Sequence, residues 1–168
     1  MLSWIVNIIL AFILVKFLIY PGLGLVFGTS YPIVAVVSGS MEHNGNFDSW
    51  WNNQENFYGQ YNISKGEFKN FKFRNGFNKG DIMILFRAKN IKVGDVIVFK
   101  GNVKDPIIHR VIKLENGIQT KGDANDMSRS DETDINKENI YGRAVFKVPY
   151  LGWIKLAFVE ILNLFIKG

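Results

Sequence analysis

The chain has 168 residues, a formal charge of +5 and no cysteine, with 48% hydrophobic and 21% charged residues. That is the length of one domain with enough apolar content for a core, which excludes a disordered tail, a collagen and a disulfide scaffold. Without cysteine there is no disulfide, no thiolate metal site and no thiol nucleophile.

The apolar residues are concentrated at the start. Residues 2–20 read LSWIVNIILAFILVKFLIY, with Lys16 as the single charge. At 1.5 Å per residue this stretch spans about 28 Å as a helix, close to a bilayer core of ~30 Å. A cleaved secretory leader would carry a basic start, a shorter apolar run and a small-residue cleavage site. No Lys or Arg precedes this run, so it reads as a retained membrane anchor covering residues 1–28. Lys16 is near enough to its end for the long stem to reach the interface. Pro21, Gly22, Gly24, Gly28 and Pro32 interrupt the helical pattern.

Residues 32–37, PIVAVV, form a short β-branched run that predicts a buried strand ending at Ser38-Gly39-Ser40-Met41. Residues 43–79 have a different composition: ten aromatic residues, nine asparagines and almost no aliphatics. Neither helical nor strand periodicity is sustained there. The segment reads as an insertion, a loop or small subdomain whose rings pack on the main domain or lie at a lipid surface.

From Gly80 the chain predicts short strands at 81–86, 95–100, 107–114, 118–121 and 141–148. Gly94-Asp95, Asn116-Gly117 and Gly122-Asp123 punctuate them. Asn116-Gly117 between two strand-like runs is a two-residue hairpin signal. This spacing predicts a mainly β domain, a barrel or sandwich, over residues 29–148. Residues 123–138 carry six acids and read as a loop. In residues 149–168 the polar positions Lys155, Glu160, Asn163 and Lys167 fall within about 140° of one another on a helical wheel. That predicts a C-terminal helix lying on the membrane or spanning it.

The charges alternate in sign along the chain and form no basic stripe, which argues against a nucleic-acid partner. His43 and His109 are the only histidines. They form no H-E-x-x-H pair, and Asp123-Ala-Asn125-Asp126 departs from a calcium loop at Met127 and Ser128. The remaining chemistry is nucleophilic. Ser40 follows a strand on a glycine turn, His109 lies in a strand-like run, and Asp123 stands at a strand end. A serine hydroxyl needs an adjacent base, a neutral histidine can serve, and a carboxylate can fix its tautomer. Spacing alone does not join the three. A plain turn serine and a core histidine remain the ordinary alternatives.

The ordered motifs go further. Behind the anchor come Val37-Ser38-Gly39-Ser40-Met41-Glu42, then Lys79-Gly80-Asp81-Ile82 with Val93-Gly94-Asp95-Val96-Ile97-Val98-Phe99. Next are Ile107-Ile108-His109-Arg110-Val111 and Thr120-Lys121-Gly122-Asp123-Ala124-Asn125. Last are Tyr141-Gly142-Arg143-Ala144-Val145 and Pro149-Tyr150-Leu151-Gly152-Trp153. In this order the segments resemble the type I signal peptidases of the archaeal and endoplasmic-reticulum branch, in which the base is a histidine. The resemblance covers about three quarters of the chain and leaves out residues 43–79.

The resemblance implies a signal-peptidase-like β domain behind a transmembrane helix. It implies a membrane-bound serine endopeptidase that removes signal peptides from translocated preproteins. Ser40 would be the nucleophile and His109 the base, where bacterial members carry lysine. Asp123 would orient His109. The second family aspartate falls on Asp131 if two residues are inserted, since Ile135, Ile140 and Gly142 then come into register; Asp126 is the alternative. Ser38 would contribute to the oxyanion site. Two shallow apolar subsites over Ile33, Ala35 and Val37 would select small side chains. No metal or cofactor is implied. The implied partners are secretory preproteins, membrane lipid and the translocation machinery. The implied location is the cell membrane, with the domain on the extracytoplasmic side. One further departure stands out: His43 replaces the usual proline after Ser-Met-Glu, directly before the insertion, and it is a rival base. Two other readings compete with the Ser40–His109 enzyme. One is a serine–lysine enzyme using Lys113 or Lys121; the other is a non-catalytic anchored β domain binding a partner through the aromatic insertion.

Overall fold

The computed structural model describes residues 2–154 together with Leu156, Ala157 and Glu160. It opens with one long helix in three parts: α1 (Leu2–Leu14), a π-helical stretch (Val15–Ile19) and α2 (Tyr20–Phe27). The pattern-breakers at Pro21, Gly22 and Gly24 do not end it. Pro21 lacks an amide hydrogen and crowds the preceding turn. The turn before it is widened, the Tyr20 amide donating to Val15 O, which is how a helix absorbs such a residue. Gly28, at φ +67°, ends the helix, and the Thr29 amide closes back on Gly24 O at 3.0 Å. Residues 3–27 form a helix long and apolar enough to cross a membrane.

Six strands follow: β1 (Ile33–Ala35), β2 (Ile82–Phe86), β3 (Val96–Phe99), β4 (Ile107–Lys113), β5 (Gln119–Lys121) and β6 (Ile140–Val148). They make one antiparallel sheet in the order β1-β2-β6-β3-β4-β5. The mainly β expectation holds. Among the described residues the strands form this single sheet rather than two stacked ones. The expected hairpin is present between β4 and β5, with Asn116 and Gly117 both at positive φ.

Strand alternation sends side chains into separate cores on the two faces. Val96 and Val98 pack with Met41, Phe77, Met83 and Leu85, whereas Ile97 and Phe99 pack with Ile107, Val111, Ile118 and Ile135. All four β3 residues are buried.

The insertion is not a loop. It folds into α3 (Phe47–Gly59) and α4 (Lys65–Lys69). The Asn46 side chain caps α3 by accepting from Ser49 N at 2.9 Å, and Ser64 with Glu67 forms a capping box on α4. Trp50, Trp51 and Tyr58 lie on the buried face of α3 and pack with Ile63, Phe68 and Ile112 of β4. Of the two readings of these rings, packing on the domain is the one found. The expected C-terminal helix falls, beyond Ile154, largely outside the described residues.

Lys121 of β5 is buried under this insertion. Its Nζ donates to Gln54 Oε1 at 2.8 Å and Gly122 O at 3.0 Å, and lies over the Phe57 and Tyr58 rings. Burial pushes its ammonium down from 10.5 to about 8, against the pull of Asp123 and Glu132. Between those values the unfolded chain binds the proton and the folded chain does not, so stability rises with pH. Tyr58, raised by burial and by Asp123, opposes this above its unfolded value near 10. Denaturant unfolding in detergent should show a gain of about 2 kcal/mol from pH 8 to 10. Lys121→Met should flatten that slope.

Candidate active site

The serine turn is positioned by its neighbours on both sides. Before it, the Val36 amide donates to Asp81 O and the Gly80 amide to Val36 O, extending β1 along β2. After it, Glu42 pairs with Gly76, and the Phe77 amide donates to Met41 O at 3.0 Å. The Ala124 amide donates to Ser40 O at 2.8 Å. Ser40 is thereby tied to the turn after β5.

His109 comes from the middle of β4, opposite Ile97. Its Nε2 is 2.9 Å from Ser40 Oγ, and its Nδ1 is hydrogen-bonded to Glu132 Oε1. Thr120 Oγ1 also faces Glu132 Oε1 at 3.3 Å, and Glu132 Oε2 accepts the Arg129 amide at 2.8 Å. Glu132 and its carboxylate are fully buried. With Nδ1–H donating to the acid, Nε2 presents its lone pair to the Ser40 hydroxyl. Ser38 Oγ lies 3.2 Å from Ser40 Oγ. Gly122 backs the imidazole so closely that a Cβ there would be 2.8 Å from both His109 Nε2 and Ser40 O.

Asp123 stands elsewhere. Sequence reasoning assigns it to the His109 ring, but its carboxylate receives Arg110 Nε at 2.8 Å and Nη2 at 2.6 Å. It also accepts Tyr58 Oη at 3.1 Å and pairs with His43 Nε2 at 3.0 Å. Alternation explains the separation. His109 and Thr120 point to one face of the sheet; Arg110 and Lys121, their immediate neighbours, point to the other, where the insertion packs. Asp123 follows Lys121 by two and serves that second face. A completely buried guanidinium demands a partner there. Burial alone would raise the Asp123 pKa; Arg110 first and His43 second hold it well below the usual carboxylate range.

His43, the rival base, is equally committed. Its ring stacks on Trp50 at 3.6 Å between centroids, with Nε2 on Asp123. Lys121 Nζ is engaged with Gln54, and Lys113 lies at the far end of β4. Asp131 does not reach the imidazole: its Oδ2 accepts the Asn102 amide at 3.0 Å, and it pairs with Arg129. The acid on His109 is the next residue, Glu132, which sequence reasoning passed over. The available signal was an acidic pair, Asp131-Glu132, in which only the fold decides which member faces the ring.

A cleft of about 410 Å³ opens beside these groups, lined by Ala35, Val37, Ser40, Val103, Ile107 and His109 among others. Of the expected subsite residues, Ala35 and Val37 line it; Ile33 lines an adjoining cavity of about 230 Å³ with Ala35, Val37 and Tyr31. Among the described residues no cluster of potential ligands could hold a metal.

No protein-family model matches the chain. Curated relatives do. The chain is 30% identical over 153 residues to the human and mouse proteins named signal peptidase complex catalytic subunit SEC11C, covering 83% of this chain. It is 28% identical over 161 residues to the SEC11 subunit of the fungus Leptosphaeria maculans, covering 86% of this chain and 73% of that one. The chain is a relative of signal peptidase catalytic subunits. The resemblance read from the ordered motifs is borne out. The chain spans 63% of the length of the SEC11C relatives.

The Arg110–Asp123 pair yields a prediction that needs no activity. Asp123→Asn leaves a buried guanidinium without its counter-charge. Denaturant unfolding should show a loss of about 3–5 kcal/mol. His43→Phe keeps the stack on Trp50 and removes one weaker partner, so it should cost far less.

Proposed function

We propose that this chain is a membrane-bound serine endopeptidase that removes signal peptides from translocated preproteins, with Ser40 as nucleophile and His109 as general base. The observation that carries this reading is the continuous path Ser40 Oγ, His109 Nε2, His109 Nδ1, Glu132 Oε1, opening on an apolar cleft. The relationship to signal peptidase catalytic subunits supports the same chemistry.

The steps follow from the geometry. A preprotein segment lies in the cleft with its scissile carbonyl carbon against Ser40 Oγ. His109 Nε2 takes the hydroxyl proton as Oγ bonds to that carbon, and the C=O π pair moves onto oxygen. Glu132 stabilises the imidazolium formed. The Ser40 amide and the Ser38 hydroxyl donate to the oxyanion; one such donor typically contributes about 10²–10³ in rate. As the tetrahedral species collapses, the C–N bond breaks and His109 gives its proton to the departing amine. Water then attacks the acyl-enzyme with His109 as base, freeing Ser40. No metal or cofactor enters these steps.

The cleft suits small side chains. Its walls are short or β-branched residues, Ala35, Val37, Val103 and Ile107, which suits the Ala-x-Ala pattern at the end of a signal peptide. The N-terminal helix anchors the domain at a membrane, with the site on the extracytoplasmic side where translocated chains emerge. The partners are secretory preproteins, lipid and the translocation machinery. The competing partner-binding reading needs exposed rings, but Trp50, Trp51, Tyr58 and Phe68 are buried against the sheet.

Cleavage of an Ala-x-Ala precursor in detergent or membranes tests the assignment. Ser40→Ala and His109→Ala should each abolish it. Glu132→Gln keeps an acceptor but loses the charge, and kcat should fall by about 10²–10⁴. Cleavage that survives Ser40→Ala would overturn the nucleophile. Gly122→Ala, whose Cβ enters the space of the imidazole, should cut kcat by at least about tenfold, since catalytic groups displaced by tenths of an ångström lose alignment.

A further inference from the structure

Asp131 is the acid that the mechanism leaves unused. It is adjacent to Glu132 in a short 3₁₀ turn, Ser130–Glu132, and its side chain is only 5% exposed. Its Oδ2 accepts the amide of Asn102, in the loop of residues 100–106 that joins β3 to β4. Gly101 packs on the cleft residue Ile107 and on the same oxygen: a Cβ there would collide with Ile107 Cδ1 and lie 2.8 Å from Asp131 Oδ2. Val103, Asp105 and Pro106 of this loop line the cleft beside Ser40. Asp131 also holds Arg129, with Nε 3.1 Å from Oδ1 and Nη2 3.1 Å from Oδ2. Arg129 lines the cleft too. One carboxylate thus braces two parts of the lining, the β3–β4 loop and the Arg129 guanidinium.

We propose that Asp131 is a specificity-determining positioning residue: by bracing the β3–β4 loop and Arg129 it fixes the width of the cleft, and with it the selection of small side chains next to the scissile bond. The inference rests on the peptidase reading above and deepens it. Adjacent acids then have separate duties, Glu132 on the base and Asp131 on the wall. A charge-assisted bond to a backbone amide is strong enough to hold such a loop and is lost entirely in alanine.

The test compares wild type, Asp131→Ala, Asp131→Asn, Gly101→Ala and Glu132→Gln on two precursors. These differ only in Ala or Leu before the scissile bond. For Asp131→Ala and Gly101→Ala, KM for the Ala precursor should rise about tenfold and the Ala-over-Leu preference should narrow about tenfold, the size of one lost charge-assisted hydrogen bond. Their kcat should stay within about twofold, because His109 and Glu132 are untouched. Asp131→Asn keeps an acceptor for Asn102 and should fall between them and wild type; it also serves if the alanine variant fails to fold. Glu132→Gln should do the reverse, lowering kcat and leaving the preference alone. A fall in kcat with KM and preference unchanged in Asp131→Ala would overturn the proposal, since the residue would then act through the base. Hydrogen exchange of the detergent-solubilised chain is read alongside. Amides 101–105 should exchange faster in Asp131→Ala than in wild type, and equal exchange would overturn the brace whatever the kinetics. Wild type that cleaves neither precursor would overturn the peptidase reading, and the specificity role with it, while exchange would still report on the brace separately.

Discussion

The buried pair of Arg110 and Asp123 is the constraint on which the rest of this structure depends. Its guanidinium also donates to Lys72 O, Gly94 O and Phe73 O and lies over the Phe68 ring. One side chain of β4 therefore gathers the carbonyls at the end of the insertion, the turn before β3 and the acid after β5. The acid in turn takes Tyr58 and His43 from the insertion, while its own carbonyl accepts Trp50 Nε1 at 3.1 Å. A charge pair taken out of water is tolerable only when its own donors and acceptors are satisfied, and here segments distant in sequence supply those partners. The insertion is thus part of the domain's interior, and its aromatic content follows from the need to keep that network dry.

This arrangement separates support from chemistry. Asp123 holds the turn that carries Gly122 and Ala124, and that turn touches the imidazole and Ser40 O. The link from Asp123 to Ser40 and His109 passes through backbone, whereas Glu132 bonds the imidazole directly. Two neighbouring residues on β4 serve the two systems from opposite faces of one sheet. Both are buried, but they need different things. Arg110 requires a full counter-charge at all times. The imidazole is held through Nδ1, and its acid, Glu132, sits on the face closed by Thr120 and the 130–132 turn.

The strands were legible in the sequence because their signals are local: β-branched runs, alternation and an Asn-Gly turn appear within a few residues of where they act. All six strands lie within two residues of the boundaries expected from pattern. Ser40 and His109 were legible for the same reason, each on a strand-adjacent motif. Two things were not read. The helices of the insertion carry an Asn46 cap, a Ser64–Glu67 box and rings at 47, 50–51 and 57–58, with the buried Gln54 between them on the same face. That is helical spacing, obscured by asparagines on the outer face. The acid partner was assigned to Asp123 because motif order says which acids are near the site but not which face of the sheet each serves. That depends on Arg110 being buried, a property of the assembled insertion that no short window of sequence contains.

The junction between helix and domain gives the site a fixed place. A flexible linker would let Ser40 wander over the membrane surface, and Gly22, Gly24 and Gly28 suggest one. The structure instead clamps the helix end onto the sheet. The Arg87 amide donates to Phe27 O at 2.8 Å, Phe27 stacks on Phe86 with centroids 4.3 Å apart, Thr29 Oγ1 donates to Tyr141 O, and Tyr31 packs on Tyr141. The helix therefore ends against β2 and β6, and β1 starts beyond it as the edge strand that leads into the serine turn. The residues from Gly28 to Ser40 could span at most about 40 Å if fully extended, and the clamp together with β1 removes the freedom to vary that distance. The cavity of Ile33, Val37 and Tyr31 adjoins the cleft and includes Tyr20 of the helix itself. An extended apolar segment following the helix out of a bilayer would meet that cavity first and the serine next. The contacts that hold the helix end on the sheet also place this cavity and the cleft in line with Ser40.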